Sequence, residues 1–342
     1  MSAELPASNL ALPQSATPSF FDESFLRRLE SLTLIARQAQ RGQWQGERRS
    51  PKRGQSVEFA DYRNYVPGDD FRLVDWNAYA RLERFFLKLF VEEEDLTVHL
   101  LLDASRSMDW PSDSGGQPIH KFTYAQRAAA ALGYIALVSL DRVTVSTVSG
   151  GRGTRDAATL HQFPPRRGRH QSFALFDFLT KIHPNGLTDL QQSLTHYAAH
   201  TRQPGPLLFF SDLFDSASQD PQGPGSSAPT FHLTSSPFTW ANGVIALLAR
   251  HFEVSLIHLL SPDEVDPSLD GDLRLLDSET EQAVEVTADY EALARYKAGL
   301  TTWQGEIRNW CARRNVTYVP VTTNIPFEEF IFAFLRQRGI LK

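Results

Sequence analysis

Apolar positions along this chain fall into two alternating rhythms. Largely apolar stretches occur at Leu96–Leu102, Leu207–Phe210, Val254–Leu260 and Val316–Val321, and Arg142–Val148 reads as a further strand. Such runs, with little polar alternation, suit strands buried on both faces of a parallel sheet. Between them, Lys121–Leu140, Ser172–Ile182, Thr188–Thr201 and Asn242–Arg250 carry helical patterns. Strands alternating with helices predict an α/β fold, a doubly wound and mostly parallel sheet with helices on both faces.

The flanks read differently. Residues 1–22, with Pro6, Pro13 and Pro18, read as a loose tail, and Phe25–Arg41 as one amphipathic helix. Residues 23–95 form an N-terminal helix and a β-rich segment that includes a strand at Arg84–Val91. This segment is too poor in apolar residues for a core of its own. It is expected to pack as a small subdomain on the α/β domain and bury Phe59, Tyr65, Trp76, Phe85, Phe86 and Phe90. The α/β domain itself spans residues 96–262, with a Ser/Pro/Gly-rich insertion at 215–238. Residues 263–342 complete the fold. They hold a hairpin (Leu273–Leu276 with Ala283–Val286), a long helix with Leu300, Trp303 and Ile307 on its apolar face, a last strand and a last helix at Phe327–Arg338.

Composition narrows the function classes. The chain has 342 residues, 42% of them hydrophobic, and 34 Lys+Arg against 40 Asp+Glu give a net charge of −6. That balance disfavours a general nucleic-acid binder, despite the basic clusters Arg48–Arg53 and Arg166–His170. One cysteine, Cys311, excludes internal disulfides and multi-cysteine zinc sites. No apolar run reaches the roughly 20 residues of a membrane-spanning helix, and the N-terminus lacks the marks of a secretory signal. A cytoplasmic protein is the expectation.

The chemistry gathers where apolar runs end. Asp103-Ala104-Ser105-Arg106-Ser107 follows the first run, Asp212 follows the second, and Thr188 stands at a helix start after Gly186-Leu187. In an open α/β sheet, ligands bind outside the carboxyl ends of the strands. Oxygen donors without thiol or imidazole select a hard cation, Mg²⁺ first, with Mn²⁺ or Ca²⁺ as alternatives. Trp110, on the loop after Ser107, and the acids of Gly68-Asp69-Asp70 are candidate partner-binding residues; a tight turn is the competing reading for Asp69 and Asp70. His196 and His200 have the spacing of a zinc pair but lack the Glu after the first His, and read as helix surface. A metal-dependent hydrolase or phosphatase using Asp103 is the alternative function. Haloacid-dehalogenase-type phosphatases need a second Asp two residues after the first, where Ser105 stands here. There is no Gly-x-Ser-x-Gly elbow and no phosphate-binding Gly-x-x-x-x-Gly-Lys loop.

The string Asp-x-Ser-x-Ser, then Thr, then Asp, on this alternation of strands and helices, resembles the metal-ion-dependent adhesion site of von Willebrand factor type A domains. Upstream, Ser56–Arg63, Tyr65–Arg72, Asp75-Trp76-Asn77 and Ala80-Arg81 resemble a bacterial family of unknown function, number fifty-eight (DUF58). The resemblance implies that Asp103, Ser105 and Ser107 form the first metal motif, Thr188 the second and Asp212 the third, Asp215 being the competing third acid. Leu187 departs from the Gly-Gly-Thr that many type A domains carry. The resemblance also implies a non-enzymatic adaptor or co-chaperone that docks a partner carboxylate, with a MoxR-type AAA+ ATPase or its client as partner.

Overall fold

The computed structural model describes residues 20–35, 58–67, 69, 71–91, 96–111, 120–148, 161–186, 189–214, 239–278 and 283–342. The elements run α1 (Glu23–Leu29), β1 (Glu58–Asn64), α2 (Trp76–Leu82), β2 (Phe86–Val91), β3 (Thr97–Asp103), α3 (Lys121–Val138), β4 (Arg142–Val148) and β5 (Gln162–Arg167). They continue α4 (Ser172–Thr180), α5 (Leu190–His200), β6 (Pro206–Ser211), α6 (Ala241–Ala249), β7 (Glu253–Leu260) and the single turn α7 (Pro262–Val265). The hairpin β8 (Gly271–Leu276) and β9 (Ala283–Ala288), the long helix α8 (Tyr290–Ala312) and β10 (Thr317–Thr322) follow. The chain closes on helical turns from Phe327 to Gln337, the middle one, Phe330–Phe334, wound as a π-helix. Two compact units result: residues 37–95, and residues 1–36 together with 96–342.

The larger unit is built on a six-stranded sheet in the order β10-β7-β6-β3-β4-β5. Neighbours from β10 through β4 pair in parallel, and β5 is antiparallel at the edge. The doubly wound α/β expectation holds. From β3 the chain moves to β4 on one side and later to β6, β7 and β10 on the other. The topological switch point therefore lies between β3 and β6, where such sheets open a crevice.

Successive side chains of a strand point to opposite faces, so each strand feeds two cores. Leu100 and Leu102 join one cluster with Phe25, Leu29, Leu132, Leu175 and Phe330. Leu101 joins the other with Leu194, Phe209, Val244, Trp303 and Ile307. Every residue of β3 is buried, the polar Thr97, His99 and Asp103 included, so both of its faces are core. At the start of β6 the backbones approach so closely that a Cβ on Gly205 would sit 2.1 Å from the Thr97 carbonyl oxygen, so only glycine fits there.

Several expectations need correction, and one strand was not anticipated. The first helix ends at Leu29 rather than Arg41, because Leu34 bridges Leu341 in extended conformation and Thr33 and Lys342 exchange backbone hydrogen bonds. The loose tail does not run to residue 22: Phe21 is buried, stacked on Phe25 at 4.8 Å and on Phe327 at 5.7 Å. For the same reason α1 belongs to the α/β unit and not to the β-rich segment. The unanticipated strand is β5, which the sequence hides behind Pro164, Pro165, Arg166 and Arg167; an edge strand tolerates prolines that a central strand does not. The insertion at 215–238 lies outside the described residues.

The smaller unit is an antiparallel β1–β2 pair with α2 between its strands. Asp75 caps α2 by accepting from Asn77 N–H (2.9 Å) and Ala78 N–H (3.2 Å), and the Tyr62 hydroxyl donates to its other oxygen at 2.8 Å. Val74 and Leu87 are buried there, but Trp76 and Phe85 are exposed, contrary to expectation. They lean on Tyr79 instead, whose ring stacks on Phe85 at 4.3 Å. The side chains of Phe59 and Phe90 lie outside the described residues.

Candidate functional site

The carboxyl end of β3 carries Asp103 into the crevice beside β6. Asp103 is fully buried and accepts from its own loop, Ser105 N–H to Oδ1 at 3.0 Å, and from the neighbouring strand, Ser211 Oγ to Oδ2 at 2.6 Å. The chain then turns through a 3₁₀ turn at Arg106–Met108. That turn brings the hydroxyls of Ser105 and Ser107 to 2.9 Å of each other. Two backbone hydrogen bonds tie the loop to the segment before α5: Asn185 N–H to Ala104 O at 2.7 Å and Arg106 N–H to Gly186 O at 3.1 Å. Gly186 has φ +90°, a conformation that favours glycine. Thr188 and Leu187, next in sequence, lie outside the described residues.

Asp212, just past the end of β6, is also fully buried. Its Oδ1 accepts from Phe214 N–H at 3.2 Å, and its Oδ2 accepts from Lys121 Nζ at 2.9 Å. Lys121 opens α3, is itself 0% exposed, and reaches a second carboxylate, Glu264 Oε1, at 2.6 Å. Glu264 is pinned by the capping box of α7, where it accepts from Ser261 N–H at 2.7 Å and its own N–H donates to Ser261 Oγ at 3.2 Å. Sequence reading found Asp103, Ser105, Ser107 and Asp212 but missed Ser211, Lys121 and Glu264. The dipeptide Ser211-Asp212 at the strand end was the available signal for Ser211; the lysine and the glutamate gave none.

Charge and burial compete in this crevice. Burial pushes the Asp103 carboxyl up to about 7, the nearby Asp212 charge adds to the rise, and the hydrogen bonds from Ser211 and Ser105 oppose it. Burial pulls the Lys121 ammonium toward neutrality, but Asp212 and Glu264 outweigh it and hold its pKa above the ordinary lysine value. Glu264 is raised by burial, with Lys121 pulling the other way.

The donor chemistry suits a hard cation. The Ser105 and Ser107 hydroxyls hydrogen-bond to each other at 2.9 Å, a separation that two neighbouring ligand oxygens of an octahedral ion, at about 2.0–2.1 Å from it, also have. Among the described residues, no group of three or more His, Cys, Asp or Glu side chains is arranged to hold an ion. An ion here would therefore rely on the hydroxyls together with Asp103. Asp212 gives Oδ2 to an ammonium and Oδ1 to the Phe214 amide, so any part it took in such a site would be through Oδ1 or through water.

Three further sets of candidates remain. Trp110 is 42% exposed on the loop that follows Ser107, and its carbonyl accepts from Lys121 N–H at 2.8 Å. In the smaller unit, Asp69 pairs with Arg63 Nη2 at 2.7 Å and accepts from Val66 N–H at 3.0 Å, the bonding of a turn carboxylate. Asp70 lies outside the described residues. His196 and His200 stack at 3.9 Å on α5, beside a surface cleft of about 590 Å³ that none of the strand-end residues lines.

Comparison with known proteins identifies relatives of the chain. Uncharacterized proteins of Mycobacterium bovis and Mycobacterium tuberculosis are 27% identical over 271 residues, covering 78% of this chain and 75% of theirs. Among solved structures, the conserved hypothetical protein BatB of Bacteroides thetaiotaomicron aligns with a TM-score of 0.38 and 13% identity over 71% of this chain and 98% of its own. A von Willebrand factor type A protein of Catenulispora acidiphila aligns with a TM-score of 0.38 and 13% identity over 74% of this chain and 43% of its own. Among the described residues, no helix is long and apolar enough to cross a membrane. The model of the family described as protein of unknown function DUF58 matches residues 61–304, most of the chain, and the protein belongs to that family.

Proposed function

We propose that this protein is a non-enzymatic protein-interaction module that docks a partner's carboxylate at the switch point of its sheet, on a divalent cation. The observation that carries the reading is the 2.9 Å pair of Ser105 and Ser107 hydroxyls beside the buried Asp103. Asp103, Ser105 and Ser107 would hold the ion, with Thr188 and Asp212 contributing around it. When bound, Mg²⁺ supplies a positive centre that keeps a coordination position for an incoming carboxylate. Ser211 and the Ser105 amide orient Asp103, while Lys121 and the Phe214 amide orient Asp212. Trp110, exposed on the rim, supplies an aromatic contact of the type that dominates interface energetics.

A MoxR-type AAA+ ATPase or its client is the partner in this reading, the protein acting as adaptor or co-chaperone in the cytoplasm. The support is the resemblance of the Ser56–Arg81 block and the strand-end motif to their respective families. The first test titrates the whole protein with Mg²⁺ and Mn²⁺ by calorimetry, beside Ser105→Ala/Ser107→Ala. The second captures partners with and without chelator and identifies them by mass spectrometry. Saturable binding that the double variant loses, together with chelator-sensitive capture of the ATPase or its client, is the expected result. Capture unaffected by both chelator and double substitution would overturn the docking mechanism.

A further inference from the structure

Lys121 is an unusual residue to find where it is. It occupies the first position of α3, where the helix dipole disfavours a cation, and its side chain is completely buried. Lysine is almost never fully buried unless it is paired. The pairing is double: Nζ donates to Asp212 Oδ2 at 2.9 Å and to Glu264 Oε1 at 2.6 Å. These carboxylates come from the ends of two adjacent parallel strands, β6 and β7. The lysine therefore joins α3, β6 and the capped turn α7 through one charge. Removing one partner of a buried ion pair leaves an uncompensated charge, which costs far more than the pair contributes.

We propose that Lys121 is the resident counter-cation of the strand-end centre: it neutralises the buried Asp212 and the partly buried Glu264 and fixes Asp212 in place, so that the centre is built before any divalent ion arrives. This structural role stands without the metal. Its corollary rests on the docking reading: in wild type a divalent ion adds to a preformed centre, whereas without Lys121 the ion has to take over the ammonium's task as well.

The test uses the full chain and Lys121→Met, which keeps the length of the side chain and removes its charge. In EDTA the variant is expected to melt on the order of 10 °C below wild type. Adding Asp212→Asn to Lys121→Met, still in EDTA, is expected to recover part of that loss, because the more deeply buried of the two uncompensated carboxylates is gone. Lys121→Met as stable as wild type in EDTA would overturn the proposal, as would a double variant no more stable than the single one. If Lys121→Met is not recovered folded, the triple variant Lys121→Met/Asp212→Asn/Glu264→Gln decides: a folded chain supports the proposal and an unfolded one overturns it. Millimolar Mg²⁺ should raise the melting temperature of Lys121→Met more than that of wild type. Rescue by Asp212→Asn without rescue by Mg²⁺ supports the counter-cation and counts only against the metal reading.

Discussion

Ser211 donates a 2.6 Å hydrogen bond to Asp103 from the neighbouring strand, closing the crevice between β3 and β6 at its floor. The same hydroxyl accepts from Leu213 N–H at 2.9 Å, so one side chain orients the acid and the turn that carries Asp212. Ser211→Ala removes both bonds in a fully buried place. The expected cost is about 1–3 kcal/mol, read as a lower denaturation midpoint, together with weaker Mg²⁺ binding in calorimetry. An unchanged midpoint would show that the Ser211 hydroxyl contributes nothing to holding the crevice.

Trp110 tests the rim. Its exposure means that truncation leaves the core intact, so Trp110→Ala should melt with wild type. Partner affinity should fall by about 2 kcal/mol if Trp110 is an interface anchor. A variant that melts far below wild type and binds its partner equally well would assign the residue to stability instead.

Phe25 tests the membership of α1. It stacks on Phe21 at 4.8 Å and meets Phe332 edge-on at 5.6 Å, with only 7% of its surface exposed. Phe25→Ala should cost about 3–5 kcal/mol. A fragment beginning at Leu96 loses Phe21, Phe25 and Leu29 together, and should bind a hydrophobic dye that the full chain does not. A fragment as stable and as dye-silent as the full chain would show that α1 is dispensable to the core.

His99 predicts a pH dependence. Burial pushes its pKa down from 6.5 to about 4, with a smaller opposing pull from the Gln203 backbone, and its Nδ1 lies 2.7 Å from the Tyr197 hydroxyl. A histidine whose folded pKa is depressed binds its proton more readily in the unfolded chain. Stability from this group is complete above about pH 6.5 and falls as pH drops toward 4. The loss amounts to roughly 3 kcal/mol at the acid end. Comparing urea midpoints of wild type and His99→Gln from pH 7.0 to pH 4.5 checks this. The variant, whatever its stability at neutral pH, should show a shallower decline. Parallel curves would remove His99 from the account.

The sequence alone determined the five parallel strands of the sheet and two of its strand-end acids. Parallel strands are buried on both faces, so β3, β6, β7 and β10 are written as largely apolar runs that local reading can find, and β4 as a Val/Thr-rich strand. An acid directly after such a run stands at the carboxyl end of a strand, and Asp103 and Asp212 were legible for that reason. The spacing Asp-x-Ser-x-Ser is likewise a local property, and a short turn is enough to bring Ser105 beside Ser107. What surrounds these residues was decided by tertiary structure. Lys121 lies 91 positions from Asp212 and 143 from Glu264, and a lysine at the start of a helix reads as surface until the chain closes over it. The same holds for α1, whose apolar residues continue past Leu29 in sequence while Leu34 leaves the helix to bridge Leu341. Local pattern specifies which face of an element is apolar; only the packed chain specifies what that face, or a buried charge, will meet.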